Sequence, residues 1–242
     1  MRSCQGGLTI FCPVFNEEAI IAQNLARLVE HLEESGLTPF EIIIGENGST
    51  DRSPEILAEL CAEDPRLSFF HLDEKEVGSA FAEGVRRARH EKIVTVDMDL
   101  SIDLRFIASA VRLLDTNDIV IGSKIMGDQK RPWLRKSVSN LFIVLARLLL
   151  GISFHDYSIA AKGYRTSSAR RYLPFVDPKT FYVVRMVHLA TRDGLKITEV
   201  PVSCFDMRGS RFNLLHEGFY KFGNLFLLFF RSLLSTRDGR RK

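Results

Sequence analysis

The sequence predicts an α/β protein built around a mostly parallel β-sheet, and three observations lead to that prediction. Short apolar segments alternate with helix-forming segments of about ten to fifteen residues through the first half of the chain, as βαβ units require. Polar clusters follow several apolar segments, where a parallel sheet binds its ligands. The chain has 242 residues, 45% of them hydrophobic and 26% charged, which is enough for a sizeable core.

The alternation can be followed along the first half of the chain. We expect strands at residues 8–12, 40–44, 67–71, 93–96 and 119–122. Later helices are expected at 79–89 and 104–114. Asn16 is expected to cap the first helix, with Glu17 and Glu18 in its first turn. Ser53 and Pro54 are expected to begin the second helix as its cap and first-turn proline.

The second half has a different pattern. Residues 137–150 are strongly apolar, 181–192 read as a helix, 197–202 as a strand, and 212–234 are rich in Phe. Because no repeat, low-complexity tract or clear linker interrupts the chain, we expect a single domain over residues 1–242.

Composition excludes several classes of function. A net charge of +3 gives no indication of bulk nucleic-acid binding. The four cysteines have neither zinc-site nor disulfide spacing, so a reduced, cytosolic compartment is expected. The amino terminus lacks the apolar region of a signal peptide. No uninterrupted apolar stretch reaches the roughly 20 residues that a bilayer span needs.

Asp97 and Asp99 follow the strand predicted at 93–96, with Met98 between them. Residues i and i+2 of a strand point to the same side, and two adjacent carboxylates repel each other unless a cation lies between them. Mg²⁺ and Mn²⁺ take oxygen ligands and bridge substrate phosphates, so they suit such a pair. The alternative is an ordinary strand end turning into a loop, where Asp is common.

Polar segments follow three more of the predicted strands. They are residues 13–18 after the first strand, 46–51 after the second and 122–124 after the fifth. Each segment by itself could be a turn or a helix cap. Four such segments on one edge of a parallel sheet favour a ligand site there, and with it a metal ion at Asp97 and Asp99.

Together these segments resemble the family-2 glycosyltransferases with the GT-A fold, and within them the dolichol-phosphate mannose synthases and related polyprenyl-phosphate glycosyltransferases. The resemblance covers nearly the whole chain. It rests on Pro13-Val14-Phe15-Asn16-Glu17-Glu18, Glu46-Asn47-Gly48-Ser49-Thr50-Asp51, Gly78-Ser79-Ala80, Asp97-Met98-Asp99-Leu100, Gly122-Ser123-Lys124 and Arg208-Gly209-Ser210-Arg211. It implies a Rossmann-like sheet with a nucleotide-sugar-binding half at 1–125, and an acceptor and membrane-interface half at 126–242 with C-terminal amphipathic helices.

The resemblance also implies roles for individual residues. Asp97 and Asp99 would hold Mg²⁺ or Mn²⁺ and through it the donor diphosphate, with Asp99 taking part in catalysis. Lys124, where the family has Arg, and Arg208 would also take part in catalysis, and together with Arg211 they would contact the phosphates. The donor site would be lined by Pro13, Phe15, Glu17, Glu46, Asn47, Met98 and Ser101. Phe15 stands where the family usually has Tyr, Ser101 where the mannose synthases have Gln, and Glu46-Asn47 where many relatives have two aspartates.

The expected reaction is inverting transfer of mannose or glucose from GDP-mannose or UDP-glucose to a polyprenyl phosphate. Such a phosphate is already ionised near neutral pH, so no strong general base is needed, and the chain shows no evident His-centred dyad. The apolar segments 137–150 and 219–234 have basic neighbours, which is typical of helices in a membrane interface, although both could be core helices. A peripheral enzyme on the cytoplasmic face of a membrane is therefore expected.

Two alternatives remain open at this point. The same fold could act on a glycan or another soluble acceptor. The chain could also be a non-catalytic subunit that binds a nucleotide sugar, although such a subunit would need neither the paired aspartates nor the late basic residues.

Overall fold

The computed structural model describes residues 6–130, 133–158, 161–205 and 214–238. The strands in these ranges are β1 (Leu8–Val14), β2 (Phe40–Asn47), β3 (Leu67–Leu72), β4 (Lys92–Thr95), β5 (Ile119–Ser123), β6 (Gln129–Lys130), β7 (Lys162–Arg165), β8 (Ile197–Pro201) and β9 (Cys204–Phe205). The helices are α1 (Ile21–Glu34), α2 (Ser53–Glu63), α3 (Val77–Arg87), α4 (Arg105–Leu113), α5 (Trp133–Leu150), α6 (Thr166–Tyr172), α7 (Tyr182–Arg192) and α8 (Leu214–Asp238).

Seven of the strands form one mixed sheet in the order β3-β2-β1-β4-β7-β5-β8, and β6 pairs with β9 separately. β1 pairs in parallel with β2 and β4, and β2 pairs in parallel with β3. β7 pairs antiparallel with both β4 and β5, so β5 runs in the same direction as β4. The carboxyl ends of β1, β2, β4 and β5 therefore meet at one edge of the sheet, which we call the site edge. The predicted mostly parallel α/β sheet is confirmed.

Helices cover both faces of the sheet. On one face α1, α2 and α4 pack on a core that includes Ile10 and Ile107. On the other face α3, α5, α6 and α7 pack on a core that includes Phe11, Phe81 and Tyr182. Because neighbouring residues of β1 enter opposite cores, the strand is apolar along most of its length instead of alternating with polar residues.

Asn16 does not cap α1, and the prediction that it would is wrong. The helix begins at Ile21 with Ile20 in the cap position, so Glu17 and Glu18 lie before its first turn. Asn16 has a φ of 55°, a left-handed conformation that Asn tolerates better than most residues. Its side chain is hydrogen-bonded to Thr50 in the loop after β2.

The helix α2 begins at Ser53, as predicted, although the cap position belongs to Arg52. Among the strands and helices of the described residues, β6, β7, β9 and α6 were not predicted. β7 has the sequence Lys-Gly-Tyr-Arg, which lacks the apolar run of the other central strands.

α5 and α8 pack on each other and leave apolar side chains exposed. The rings of Phe142 and Phe222 are 5.5 Å apart, and Leu225 is fully buried. Other large apolar side chains of these two helices are between 43% and 80% exposed, and we call them the apolar face: Leu141, Val144, Leu148, Phe219, Phe226, Leu227, Phe230 and Leu233. In the described part of the chain, no helix combines the length and the hydropathy needed to cross a membrane.

The loop before α7 fastens α8 to the rest of the protein. The Tyr220 hydroxyl donates a hydrogen bond to Asp177, and the Thr180 hydroxyl donates one to Glu217. The same loop accepts the Gly78 N–H at the start of α3, with a distance of 2.8 Å. A Cβ at Gly78 would lie 1.9 Å from the Asp177 carbonyl oxygen, so only glycine permits this contact.

Replacing Phe81 by Ala should lower the free energy of unfolding by about 3–5 kcal/mol, the usual cost of removing a buried aromatic ring. Phe81 is fully buried and its ring centroid lies 6.2 Å from that of Phe11, 5.5 Å from that of Tyr164 and 4.7 Å from that of Tyr182. Urea unfolding followed by circular dichroism measures the change. Phe219→Ala is the matched control, because this side chain is 80% exposed and its loss should change the free energy by less than about 0.5 kcal/mol. Equal effects would contradict the placement of Phe81.

Candidate active site

The loops that follow β1 and β2 are joined by hydrogen bonds at the site edge. Ser49 Oγ accepts the Asn16 N–H at 2.9 Å, and Asn16 Oδ1 accepts the Thr50 N–H at 2.7 Å. Ser53 Oγ accepts the Glu17 N–H at 2.9 Å. These contacts hold the segment at 13–18 against the start of α2, so the path of this predicted donor-site loop is fixed within the protein.

The aromatic ring of Phe15 lies at the end of β1 beside a positive charge. Lys75 Nζ is 3.7 Å from the ring centroid, within the range of a cation–π interaction. Pro13, Phe15 and Glu17 are each half-buried. This part of the edge therefore offers an aromatic surface, an ammonium group and a carboxylate, which are groups that can contact a nucleotide.

Glu46 and Asn47 are buried at the end of β2 and bond to the loops around them. Glu46 Oε1 accepts the Ser49 N–H at 2.6 Å, and Oε2 is hydrogen-bonded to Nδ1 of His71. Asn47 Oδ1 accepts the Glu76 N–H at 2.7 Å. Sequence reasoning missed His71, because only the register of β2 and β3, which pairs Glu46 with His71, brings the two together.

The Asp97-Met98-Asp99 segment lies in a turn just beyond β4, which ends at Thr95. The Leu100 N–H donates to the Asp97 carbonyl oxygen at 3.0 Å, and Leu100 has a φ of 47°. Met98 is only 2% exposed and belongs to the core, whereas Asp97 and Asp99 are half-buried. The expected i, i+2 strand geometry is thus replaced by a turn, in which the residue between the aspartates is directed into the protein.

Asp97 borders an apolar region. Burial raises the pKa of the Cys12 thiol, and the charge of Asp97 raises it further. Burial raises the pKa of Tyr182 well above its usual value, and the nearby groups Tyr164, Asp97 and Asp177 raise it further. The Cys12 thiol and the Tyr182 hydroxyl therefore stay neutral. On the side of Asp97 that faces them, water screens the carboxylate charge less than it would in open solvent.

The donor atoms at this turn suit a hard cation. Asp99 Oδ1 accepts the Ser101 N–H at 3.0 Å, which orients that carboxylate. Carboxylate oxygens are the ligands that Mg²⁺ and Mn²⁺ prefer. In the ranges that the structure describes, no group of three or more His, Cys, Asp or Glu side chains is placed to hold a metal ion.

Lys124, at the end of β5, is anchored through its backbone to a buried carboxylate. Its N–H donates to Asp156 Oδ2 at 3.1 Å, and Lys162 Nζ lies 3.6 Å from Asp156 Oδ1. Burial opposes ionisation of Asp156, but the charges of Lys162 and Lys124 and the hydrogen bonds from Ser158 together outweigh it and hold the pKa of this carboxyl well below its usual value. Burial lowers the pKa of Lys162. Sequence reasoning missed Asp156 and Lys162, since their pairing depends on the placement of β7.

Arg208 and Arg211 lie outside the described residues. The chain leading to them passes the Asp99 turn, because the Phe205 N–H donates to the Ser101 carbonyl oxygen at 2.9 Å. A bridge between Ile102 and Cys204 adds a second contact. Cys204 and Phe205, the last residues described before that segment, thus lie beside the predicted metal-binding turn.

Several named proteins are similar to this chain in sequence. The glycosyltransferase AglD of Haloferax volcanii is 30% identical over 202 residues, which cover 81% of this chain and 32% of that protein. The undecaprenyl-phosphate mannosyltransferase of Micrococcus luteus is 27% identical over 205 residues, covering 81% and 82%. The undecaprenyl-phosphate 4-deoxy-4-formamido-L-arabinose transferase of Edwardsiella ictaluri is 27% identical over 197 residues, covering 81% and 59%. The chain thus spans less than two thirds of the first and third of these proteins.

Solved structures share the fold. Glucosyl-3-phosphoglycerate synthase from Mycobacterium tuberculosis, in complex with Mn²⁺, UDP-glucose and phosphoglyceric acid, has a TM-score of 0.62 at 18% identity, over 95% of this chain and 79% of that one. S. aureus TarS 1-349 in complex with UDP-GlcNAc has a TM-score of 0.57 at 16% identity, over 84% and 60%. These likenesses confirm the expected GT-A fold.

The family description "Glycosyl transferase family 2" matches residues 9–173, which run from the second residue of β1 past the end of α6 and include both aspartates of the turn after β4. The match covers more than half of the chain and agrees with the similar proteins and with the fold. The chain therefore belongs to glycosyl transferase family 2.

Proposed function

We propose that this chain transfers a hexose, mannose or glucose, from a nucleotide-diphosphate sugar to a polyprenyl phosphate, with inversion at the anomeric carbon. The observation that carries the proposal is the position of Asp97 and Asp99 on the same sheet edge as Lys124, in a protein that also exposes a large apolar face. Two of the similar proteins are named for transfer to undecaprenyl phosphate, which supports a lipid phosphate as acceptor. GDP-mannose and UDP-glucose are the proposed donors.

Asp97 and Asp99 are the proposed ligands of Mg²⁺ or Mn²⁺. Ions of this kind are commonly bound by one or two carboxylates together with substrate phosphates, which matches two aspartates in one turn. When bound, the ion would neutralise the negative charge that develops on the departing nucleotide diphosphate. Lys124, Arg208 and Arg211 would add positive charge around the diphosphate and the acceptor phosphate.

The remaining contribution of the protein is to position the two substrates. An ionised phosphate oxygen is itself the nucleophile, so alignment with the anomeric carbon matters more than proton removal. Pro13, Phe15, Glu17, Glu46 and Asn47 are proposed to hold the nucleoside. The hydrogen bonds between the loops after β1 and β2 would keep these residues in place when the donor arrives.

The apolar face of α5 and α8 is proposed to lie on the cytoplasmic surface of a membrane. Its exposed side chains belong to helices that also carry exposed Arg147 and Arg231, a combination that suits anionic lipid. Cys12, Cys61 and Cys204 are free thiols, which agrees with a reducing compartment.

The wild-type protein should transfer a labelled hexose to undecaprenyl phosphate or dolichyl phosphate in detergent, with Mn²⁺ and one of the two proposed donors. Extraction into organic solvent measures the lipid-linked product, since only the lipid product leaves the aqueous phase. Faster transfer to a water-soluble glycan or to 3-phosphoglycerate would contradict the lipid acceptor. Metal-dependent donor binding without turnover on any acceptor would point to a binding subunit instead.

Asp99→Asn should lower the transfer rate by about 10²-fold or more, the usual effect of losing a group that stabilises the leaving charge. The same variant should lose most of the Mn²⁺-dependent rise in Tm that a nucleoside diphosphate produces, since binding stabilises the fold by mass action. Asp115→Asn is the matched control, because Asp115 lies near the start of β5, at the edge opposite the site. Full activity and a full Tm shift in the Asp99 variant would remove Asp99 from the site.

Phe230→Glu and Leu148→Glu should each weaken binding to anionic vesicles by about tenfold, because each removes an apolar side chain worth about 1.5 kcal/mol or more when buried in lipid. Co-sedimentation with vesicles of phosphatidylglycerol and phosphatidylcholine measures the effect. Phe175→Glu is the matched control, since Phe175 is 47% exposed and lies outside α5 and α8. A similar loss in all three variants would show that the apolar face is not the contact.

A further inference from the structure

The order of the strands determines where the base of a bound nucleotide lies. If the diphosphate is held at the end of β4, the sheet continues through β1 and β2 to β3 on one side. Strands lie about 4.8 Å apart, so β2 and β3 end about 10–14 Å from β4, a distance that an extended nucleoside diphosphate can cover. Phe15, at the end of β1, lies along this path. The ends of β2 and β3 are therefore the part of the edge where the base arrives.

Glu46 cannot itself read the base in this arrangement. Its side chain is 0% exposed, and both carboxylate oxygens are engaged, one by the Ser49 N–H and the other by His71. A buried carboxylate with both oxygens occupied could accept donors from a ligand only by giving up these bonds. The role of Glu46 is to hold its neighbours.

The His71 ring contacts Glu46 through Nδ1, and its side chain is partly exposed to solvent. The carboxylate of Glu46 is an acceptor, so the His71 nitrogen that it contacts, Nδ1, carries the proton. In the neutral ring Nε2 is then an acceptor. The His71 side chain is 50% exposed, and its Nε2 lies 3.6 Å from Oδ1 of Asp73, whose side chain is fully exposed to water.

We propose that His71 selects uracil as the base of the donor, with Nε2 accepting a hydrogen bond from the N3–H group of the ring and Glu46 acting as the positioning residue that fixes the tautomer. This inference rests on the proposed function, because it concerns the donor of that reaction. It goes further by choosing between the two proposed donors in favour of a uridine nucleotide.

The chemistry of the bases explains the choice. Uracil offers one N–H donor between two carbonyl groups, which a single acceptor satisfies. Guanine offers two adjacent donors, and a single acceptor leaves one of them unpaired at a cost of about 1–3 kcal/mol. Cytosine places a lone pair at the equivalent ring position, which would face the lone pair of Nε2. A carboxylate could satisfy guanine with two oxygens, but the buried Glu46 is committed elsewhere.

The test compares the binding of nucleotides to the 242-residue chain by calorimetry in the presence of Mn²⁺. The ligands are UDP, GDP and UDP methylated at N3, in which a methyl group replaces the donor hydrogen. The variants are His71→Ala, Glu46→Gln and Asp73→Asn, with His90→Ala as a histidine control from the opposite edge of the sheet. Circular dichroism and Tm show whether each variant is folded.

The wild type and the His90 variant should bind UDP about tenfold more tightly than N3-methyl-UDP, and more tightly than GDP, as expected for one hydrogen bond in a desolvated site. His71→Ala should bind UDP and N3-methyl-UDP equally. Glu46→Gln should reduce the preference without abolishing UDP binding, a change that a purely structural role would not produce.

Four outcomes would overturn the inference. A wild type that prefers GDP would leave the proposed transferase function standing and remove His71 as the selector of uracil. A preference that survives in His71→Ala, or that disappears in Asp73→Asn alone, would assign base selection to another group. If the wild type binds no nucleotide under any condition, the proposed function and this inference both fail.

Discussion

The antiparallel strand β7 connects the two parts of the sheet. Its backbone bonds to β4 on one side and to β5 on the other, so without it both strands would have open edges. β4 leads into the turn of Asp97 and Asp99, and β5 leads into Lys124. The same strand supplies Lys162, whose buried ammonium group lies beside the Asp156 carboxylate that anchors the Lys124 loop. The distance between the Asp97–Asp99 turn and Lys124 therefore depends on β7, a strand of four residues.

The sequence was sufficient to predict the parallel strands and the edge where their polar ends meet, because apolar runs and turn residues are local signals. The sequence was not sufficient to predict β7. Its Lys162 and Arg165 give a polar pattern, and only the pairing of β7 with β4 and β5 shows that this segment is a central strand. The pairs Glu46–His71 and Asp156–Lys162 were missed for a related reason. Each joins segments that are distant in the chain, and no local periodicity records which strand lies beside which.

Some residues of the sequence motifs stabilise the loops of the protein, a role that the motif alone does not indicate. Asn16, Glu46 and Asn47 were expected to cap a helix or to contact a ligand, and in the structure all three bond to neighbouring loops. These bonds lie within the protein and join the loops at the site edge to one another. A site prepared in this way loses less entropy when the substrate arrives.

The loop before α7, which contains Asp177, fixes the position of α8 relative to α3. It bonds to Tyr220 on α8 and lies against Gly78 at the start of α3, where no larger residue fits. On a lipid surface contacted by α8, this connection would set the height of the site edge above the headgroups as a rigid spacer does. The enzyme would then select acceptors by the distance of their phosphate from the membrane. It would react with those whose phosphate lies at the height of the site edge, and not with lipids that have shorter or longer headgroups.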